Sequence, residues 1–249
     1  MDTQELLIKL KKSINKEAIR FMVSNNLIDE VLKEFYLGSR IEKIDLSNED
    51  KQNALNSFMI NKNIINVEGL EDLRIKSGWS EKYMEYKIHK PFKINILAQK
   101  LYKEKALIHF NKIKKNLDSV IYSLIRTKKR DIALELYLRI ESNEEDFSSL
   151  AEKYSEGSEK LTRGIIGPVN TSRVNLNIIK QLNPSNKGNL VEPFKVDDWW
   201  VIVRLEHYIE TEYTNILRQQ LCNQLFQEDL DHEIIKSNLL LKEFLNGKE

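Results

Sequence analysis

The sequence predicts an α+β fold in which a β-containing module is set between helical arms. Three observations carry this. Apolar residues recur at intervals of three and four through much of the first 110 residues and again after Glu210, the spacing of helix faces. At Asp118 the period changes to a short β-branched run. Between Phe147 and Leu205 the chain then places four of its eight glycines (Gly157, Gly164, Gly167, Gly188) and three of its four prolines (Pro168, Pro184, Pro193). Glycine admits backbone angles that other residues resist and proline fixes its own, so this stretch holds the turns of a compact, non-helical fold.

The elements follow in order. Residues 17–37 align Ile19, Met22, Val23, Leu27, Val31, Leu32 and Phe35 as the stripe of one long helix. Ser47-Asn-Glu-Asp50 puts a capping hydroxyl three residues before a carboxylate, and Leu55, Phe58 and Met59 continue that helix. A short helix covers about 68–76 and Gly78 ends it. Ser80 then caps a long helix from Tyr83 to Phe110, and Pro91 inside it predicts a bend near Lys87, because an interior proline removes one hydrogen bond and crowds the preceding turn. Residues 111–117 read as a polar linker.

Ser119 to Ile125 suits a buried strand, and Ile132, Ala133, Leu136, Tyr137 and Ile140 mark the helix after it. Phe147, Leu150, Ala151 and Tyr154 line one face of a further short helix. Glycine-rich turns come next, followed by a small helix at 175–182. Trp199 to Leu205 is the clearest strand. Beyond Glu210 two helical stretches are expected, one on Tyr213, Ile216, Leu217, Leu221 and Leu225, the other on Ile234, Ile235, Leu239, Leu240 and Phe244. The expected domains are therefore 1–116, 117–208 and 209–249.

Composition narrows the function. With 39 basic and 38 acidic residues in 249, the formal charge is +1, without the basic excess of a nucleic-acid binder. The single cysteine, Cys222, rules out an internal disulfide and a thiolate cluster, which fits a reducing compartment. Charges through Met1–Arg20 interrupt the apolar core a signal peptide needs, and no run approaches the roughly 20 apolar residues that span a bilayer. A cytoplasmic protein without membrane contact is expected. His89, His109, His207 and His232 lack metal-ligand spacing, so no metal or other cofactor is expected. Gly164-x-x-Gly167 is too short for a phosphate loop, and Lys128-Lys129-Arg130 reads as a solvated helix start.

The ordered motifs carry a resemblance. Phe147-Ser-Ser-Leu150-Ala151 with Tyr154-Ser155, then Arg163-Gly164-Ile165-Ile166-Gly167-Pro168, then Ile178 to Leu182, then Lys187-Gly188-Asn189-Leu190-Val191-Glu192-Pro193 before the last strand resemble the parvulin-type (PpiC, or rotamase) peptidyl-prolyl isomerase domain over about 117–208. Val67-Glu68-Gly69-Leu70-Glu71 to Ser77-Gly78-Trp79-Ser80, leading into a long helix, is similar to the N-terminal domain of SurA-type chaperones. The resemblance implies a small antiparallel sheet flanked by helices, embedded in a mainly helical chaperone domain that a C-terminal helix completes. It further implies a peptidyl-prolyl isomerase or foldase acting on unfolded or proline-containing polypeptides. The same layout without a leader is similar to the nitrogenase maturation factor NifM and its cytosolic relatives.

Carried over residue by residue, the family's first-strand histidine falls on Tyr122, its final-strand histidine on Val201, and its Asp or Cys on Gly157. The apolar pair that holds the proline ring falls on Val174 and Ile178. Tyr122 is thus the expected catalytic residue, through its hydroxyl, beside the plainer reading of a packed strand tyrosine. Leu124, Val174, Ile178, Trp200 and Val201 are the expected substrate contacts. On a strand Trp199 and Trp200 point to opposite sides, so at least one faces the core. Two other roles stay open: a non-catalytic module that escorts a client, for which the three changed polar positions argue, and a structural part of a larger assembly. Oligomeric state is not set by these features.

Overall fold

The computed structural model describes residues 3–182 and 188–247 and divides into two compact units, Met1–Ile108 with Thr214–Glu249, and His109–Tyr213. Pro184 and Lys187, used above in the turn and motif readings, lie outside the described residues.

The first unit is helical. Its opening helix, α1 (Thr3–Ser13), is absent from the expectations above, because its lysines mask a short stripe. Leu6 and Leu10 stand one turn apart and are wholly buried. The single helix expected over 17–37 is two, α2 (Lys16–Ser24) and α3 (Ile28–Ile41). Asn26 takes a left-handed φ of 56°, which asparagine tolerates, and the N–H groups of Leu27 and Asn26 close back on the carbonyls of Met22 (2.8 Å) and Val23 (3.3 Å). This Schellman closure stops α2 although the apolar period continues past it.

Helix α4 (Asn48–Asn61) starts where expected, with Ser47 Oγ accepting from the Asp50 N–H at 3.0 Å. Helix α5 (Val67–Lys76) is capped by Asn66 and followed by Gly78 at φ 65°. Ser80 caps α6 (Glu81–Leu117), which runs through Pro91 and on through 111–117, where a linker is expected. Those seven residues hold no glycine or proline, and Lys114 and Lys115 in the last turn suit the negative end of the helix dipole, so nothing breaks the helix there. Residues of α6 up to 108 belong to the first unit, the rest to the second.

The two C-terminal stretches are one helix, α10 (Asn215–Leu245), capped by Thr214. Cys222, Phe226, Leu230, Ile234 and Leu241 form its buried stripe, and it packs on α1, α2 and α3. Tyr102 donates its hydroxyl to Asp229 at 2.7 Å, tying α6 to α10. A second patch joins Ala54 of α4 to Met84 and Ile88 of α6, with Phe58, Leu70 and Trp79 around them.

The second unit carries the sheet. In chain order it holds β1 (Ser119–Thr127), α7 (Arg130–Glu141), α8 (Phe147–Tyr154), β2 (Ile165–Asn170), α9 (Leu176–Gln181), β3 (Leu190–Val196) and β4 (Trp199–Ile209). The strands lie in the order β2-β1-β4-β3 and every pairing is antiparallel. The two strands read from the sequence are the central pair. The two edges, β2 and β3, lie in segments read as turns and strand approach, because each contains a proline. Proline cannot donate to a ladder and is confined to edges and irregularities. Pro168 and Pro193 sit where the register slips, between the pairs Val120–Val169 and Tyr122–Ile166 and between Val191–Val203 and Phe194–Val201.

The sheet has an apolar cluster on each face. On one, Ile125 and Ile202 meet Leu136, Tyr137 and Ile140 of α7 and Phe147, Leu150 and Ala151 of α8. On the other, Val120, Tyr122, Leu124, Val201, Val203 and Leu205 meet Val174 and α9.

Candidate active site

Strand alternation decides which side chains meet. From β1 the residues Tyr122 and Leu124 point to the α9 face, and from β4 Trp199, Val201 and Val203 do. Val174 precedes α9 and Ile178 lies within it. The Asn175 side chain caps α9 by accepting from the Asn177 N–H at 2.9 Å, which fixes where Ile178 points. Five of the six expected site residues, Tyr122, Leu124, Val174, Ile178 and Val201, therefore share one cluster. Val174 and Ile178 are only 7% and 6% exposed, so a ring entering there displaces packed side chains.

Trp200 is the exception. It falls on the opposite side of β4, where the Arg130 guanidinium lies 5.5 Å from its ring centroid. Trp199 packs at the edge of the cluster instead, with Lys128 Nζ 3.7 Å and Arg126 Cζ 5.4 Å from its ring centroid.

The polar part of this face was not read from the sequence. Arg126 follows Leu124 by two residues on β1 and pairs across the ladder with Val201, so it borders the same cluster. Its Nη2 lies 2.8 Å from Glu159 Oε2 and its Nε donates to Oε1 at 3.1 Å. Ser155 Oγ donates to the same Oε1 at 2.5 Å and accepts from the Arg126 N–H at 3.1 Å. The Glu156 N–H donates to the Arg126 carbonyl at 2.9 Å, which pins the 155–159 loop to the end of β1.

Gly157 sits inside this arrangement. A Cβ at 157 would lie 1.8 Å from Arg126 Nε and 2.3 Å from its Cζ. The guanidinium fills the room that a side chain at 157 would take. One hint existed in the sequence, a glycine where a polar side chain was expected. The partner filling its space, 31 residues earlier, has no one-dimensional signal.

Burial pushes the Tyr122 hydroxyl up from its ordinary value, and the Glu159 charge adds to this against the opposing Arg126. Tyr122 stays protonated at neutral pH and acts only as a neutral hydrogen-bonding group. Among the described residues no group of three or more His, Cys, Asp and Glu side chains is gathered to hold a metal ion. This face thus combines a closed apolar cluster, a neutral hydroxyl and, at its border, a cation held by a buried carboxylate, groups able to polarise a peptide bond brought against them.

Residues 111–207 match the family model of the PPIC-type PPIASE domain. Among solved structures the chain is similar to the peptidylprolyl isomerase PrsA from Bacillus cereus, at 18% identity over 96% of this chain and 86% of that one, with a TM-score of 0.48. It is similar to the parvulin domain of PpiD from E. coli at 23% identity, covering 39% of this chain and 95% of that one, with a TM-score of 0.34. A chain from the work on PEB4 and Cj1289, SurA-like chaperones of Campylobacter jejuni, matches at 14% identity over 87% and 92% of the two chains, with a TM-score of 0.39. No curated protein matches by sequence.

Proposed function

We propose that this chain, whose residues 111–207 form a PPIC-type peptidyl-prolyl isomerase domain, is a foldase that turns prolyl bonds in polypeptide clients. The observation that carries the reading is the joint cluster of Tyr122, Leu124, Val174, Ile178 and Val201 on one sheet face, bordered by Arg126. An uncatalysed prolyl bond crosses a barrier of ~18–20 kcal/mol. Lowering it takes no nucleophile or metal, only tighter binding of the twisted amide than of the planar one. The apolar cluster takes the ring out of water and the polar border acts on the amide.

Exchange spectroscopy on a short Xaa-Pro peptide tests this. Acceleration of cis–trans exchange by the full chain is the expected result, and a rate equal to that of the free peptide refutes isomerase activity.

A second reading has its own support. Gly157 offers no side chain to the amide, which favours a module that holds a client segment without turning it. Peptide binding and protection of a denatured protein from aggregation, with unchanged exchange, select this reading. We further propose a cytosolic location, motivated by the single buried cysteine, Cys222. Fractionation of cells carrying the untagged full-length gene tests it, and recovery outside the cytosol overturns it.

A further inference from the structure

We propose that Arg126 is the catalytic group that touches the prolyl amide, its guanidinium donating to the amide nitrogen as the bond twists. This rests on the isomerase reading above. Arg126 stands on the same face of β1 as Tyr122 and Leu124, opposite Val201, and so next to the apolar cup. Its guanidinium occupies the volume beside Gly157, with Nε 1.8 Å and Nη2 2.1 Å from where a Cβ would stand. Any larger residue at 157 displaces it. Gly157 and Arg126 are therefore one device.

The guanidinium is held from behind. Its Nε and Nη2 face Glu159, whose side chain is 2% exposed, while the Arg126 side chain is 31% exposed and reachable from solvent. Those contacts use two of the five N–H groups of arginine, and Nη1 brings two more. The Ser155 hydroxyl and the Arg126 main chain lock the pair to the end of the strand. Tyr122, at 6% exposure, is the less accessible polar group.

The chemistry follows from amide resonance. In the planar amide the nitrogen lone pair is delocalised and accepts hydrogen bonds poorly. Twisting by a quarter turn returns the pair to nitrogen, where a cationic donor stabilises it. The interaction is stronger in the twisted state than in either planar one, which is the condition for acceleration. No covalent bond forms or breaks and no proton is transferred.

The test uses the full chain with Arg126→Lys, Gly157→Ala, and the double substitution Arg126→Gln with Glu159→Gln, which removes both charges together. Exchange rates on an Xaa-Pro peptide are measured beside the affinity for that peptide. Near-ultraviolet circular dichroism of the tryptophans checks folding. The expected result is peptide affinity within about threefold of the parent in every folded variant. Alongside it, kcat/KM falls by about tenfold or more in the double variant and in Gly157→Ala, and less in Arg126→Lys, which keeps a charge but loses the fork. Gly157→Ala retains both charged residues and so answers the question if the double variant does not fold. Folded variants that exchange the peptide at the parent's rate overturn the role of Arg126 and leave the isomerase reading standing. A parent chain without acceleration overturns that reading, and this one with it.

Discussion

Arg126 and Glu159 differ in burial, so their alanine substitutions differ in cost. The Glu159 side chain is 2% exposed and that of Arg126 is 31% exposed. Removing one partner of a buried pair costs about 3–5 kcal/mol when the survivor stays buried and uncompensated. Arg126→Ala leaves the buried carboxylate with the Ser155 hydroxyl but no cation, so it belongs at that level. Glu159→Ala leaves a guanidinium one-third exposed, which turns toward water, and screening reduces the loss to about 1–2 kcal/mol. Arg126→Ala is thus expected to be the more damaging by about 2 kcal/mol. The double alanine variant should cost less than the sum by about 1–3 kcal/mol, the coupling of a contacting pair. Urea unfolding read by tryptophan fluorescence in a Trp79→Phe background measures this, because Trp199 and Trp200 then report on the sheet-bearing unit alone. Equal costs, a larger cost for Glu159→Ala, or strict additivity would refute the reasoning.

Three other perturbations have definite outcomes. Gly167→Ala should destabilise the sheet-bearing unit by about 3 kcal/mol or more, since φ is +117° and a Cβ would lie 2.5 Å from the Val120 carbonyl oxygen; a change under about 1 kcal/mol in urea would contradict it. Burial, with Lys93 and Lys51, holds His89 below its ordinary 6.5 against the pull of Glu85, so the unfolded chain takes up the proton first. Stability of the helical unit should therefore decline as pH falls from about 6.5, and His89→Gln should flatten that slope in thermal unfolding followed through Trp79 in a Trp199→Phe, Trp200→Phe background; an unchanged slope would contradict it. At the start of α8 the hydroxyls of Ser148 and Ser149 and the Ser149 N–H hold Asp146 below its ordinary 3.8. Its contribution is present above that value and lost as pH falls through the lower folded one. Asp146→Asn, which keeps a capping oxygen, should unfold in acid without that component, and an unchanged acid limb would dismiss it.

Much of this architecture was legible in the sequence because it rests on local signals. Ser47 and Ser80 announce helix starts through their hydroxyls, and the alternation of β4 places Val201 and Val203 on one side without further information. The apolar positions Tyr122, Leu124, Val174, Ile178 and Val201 come instead from the family resemblance carried over residue by residue, and the sheet and α9 bring them into one cluster. What escaped depends on tertiary context. Helix α1 is stable only through Leu6 and Leu10 buried against its neighbours, and isolated short helices are marginal. Asn25 and Asn26 divide α2 from α3 although the apolar stripe runs across them, because one left-handed residue outweighs periodicity. The ion pair of Arg126 and Glu159 joins residues 33 apart, and only the fold puts them together. The misplaced tryptophan has a simpler cause. Alternation says that Trp199 and Trp200 diverge, not which of them meets the cup.

The two prolines at the sheet margins bear on the company this protein keeps. In the foldase role proposed above, the chain would meet extended segments with free backbone groups, the natural partners for an exposed strand. Pro168 and Pro193 each remove a donor from an outermost strand, at the point where its register already slips. Both margins of the sheet are thereby poor templates for adding another strand. A segment held there through side chains would then find no ready edge to pair with, and the domain's own backbone resists being extended into an aggregate.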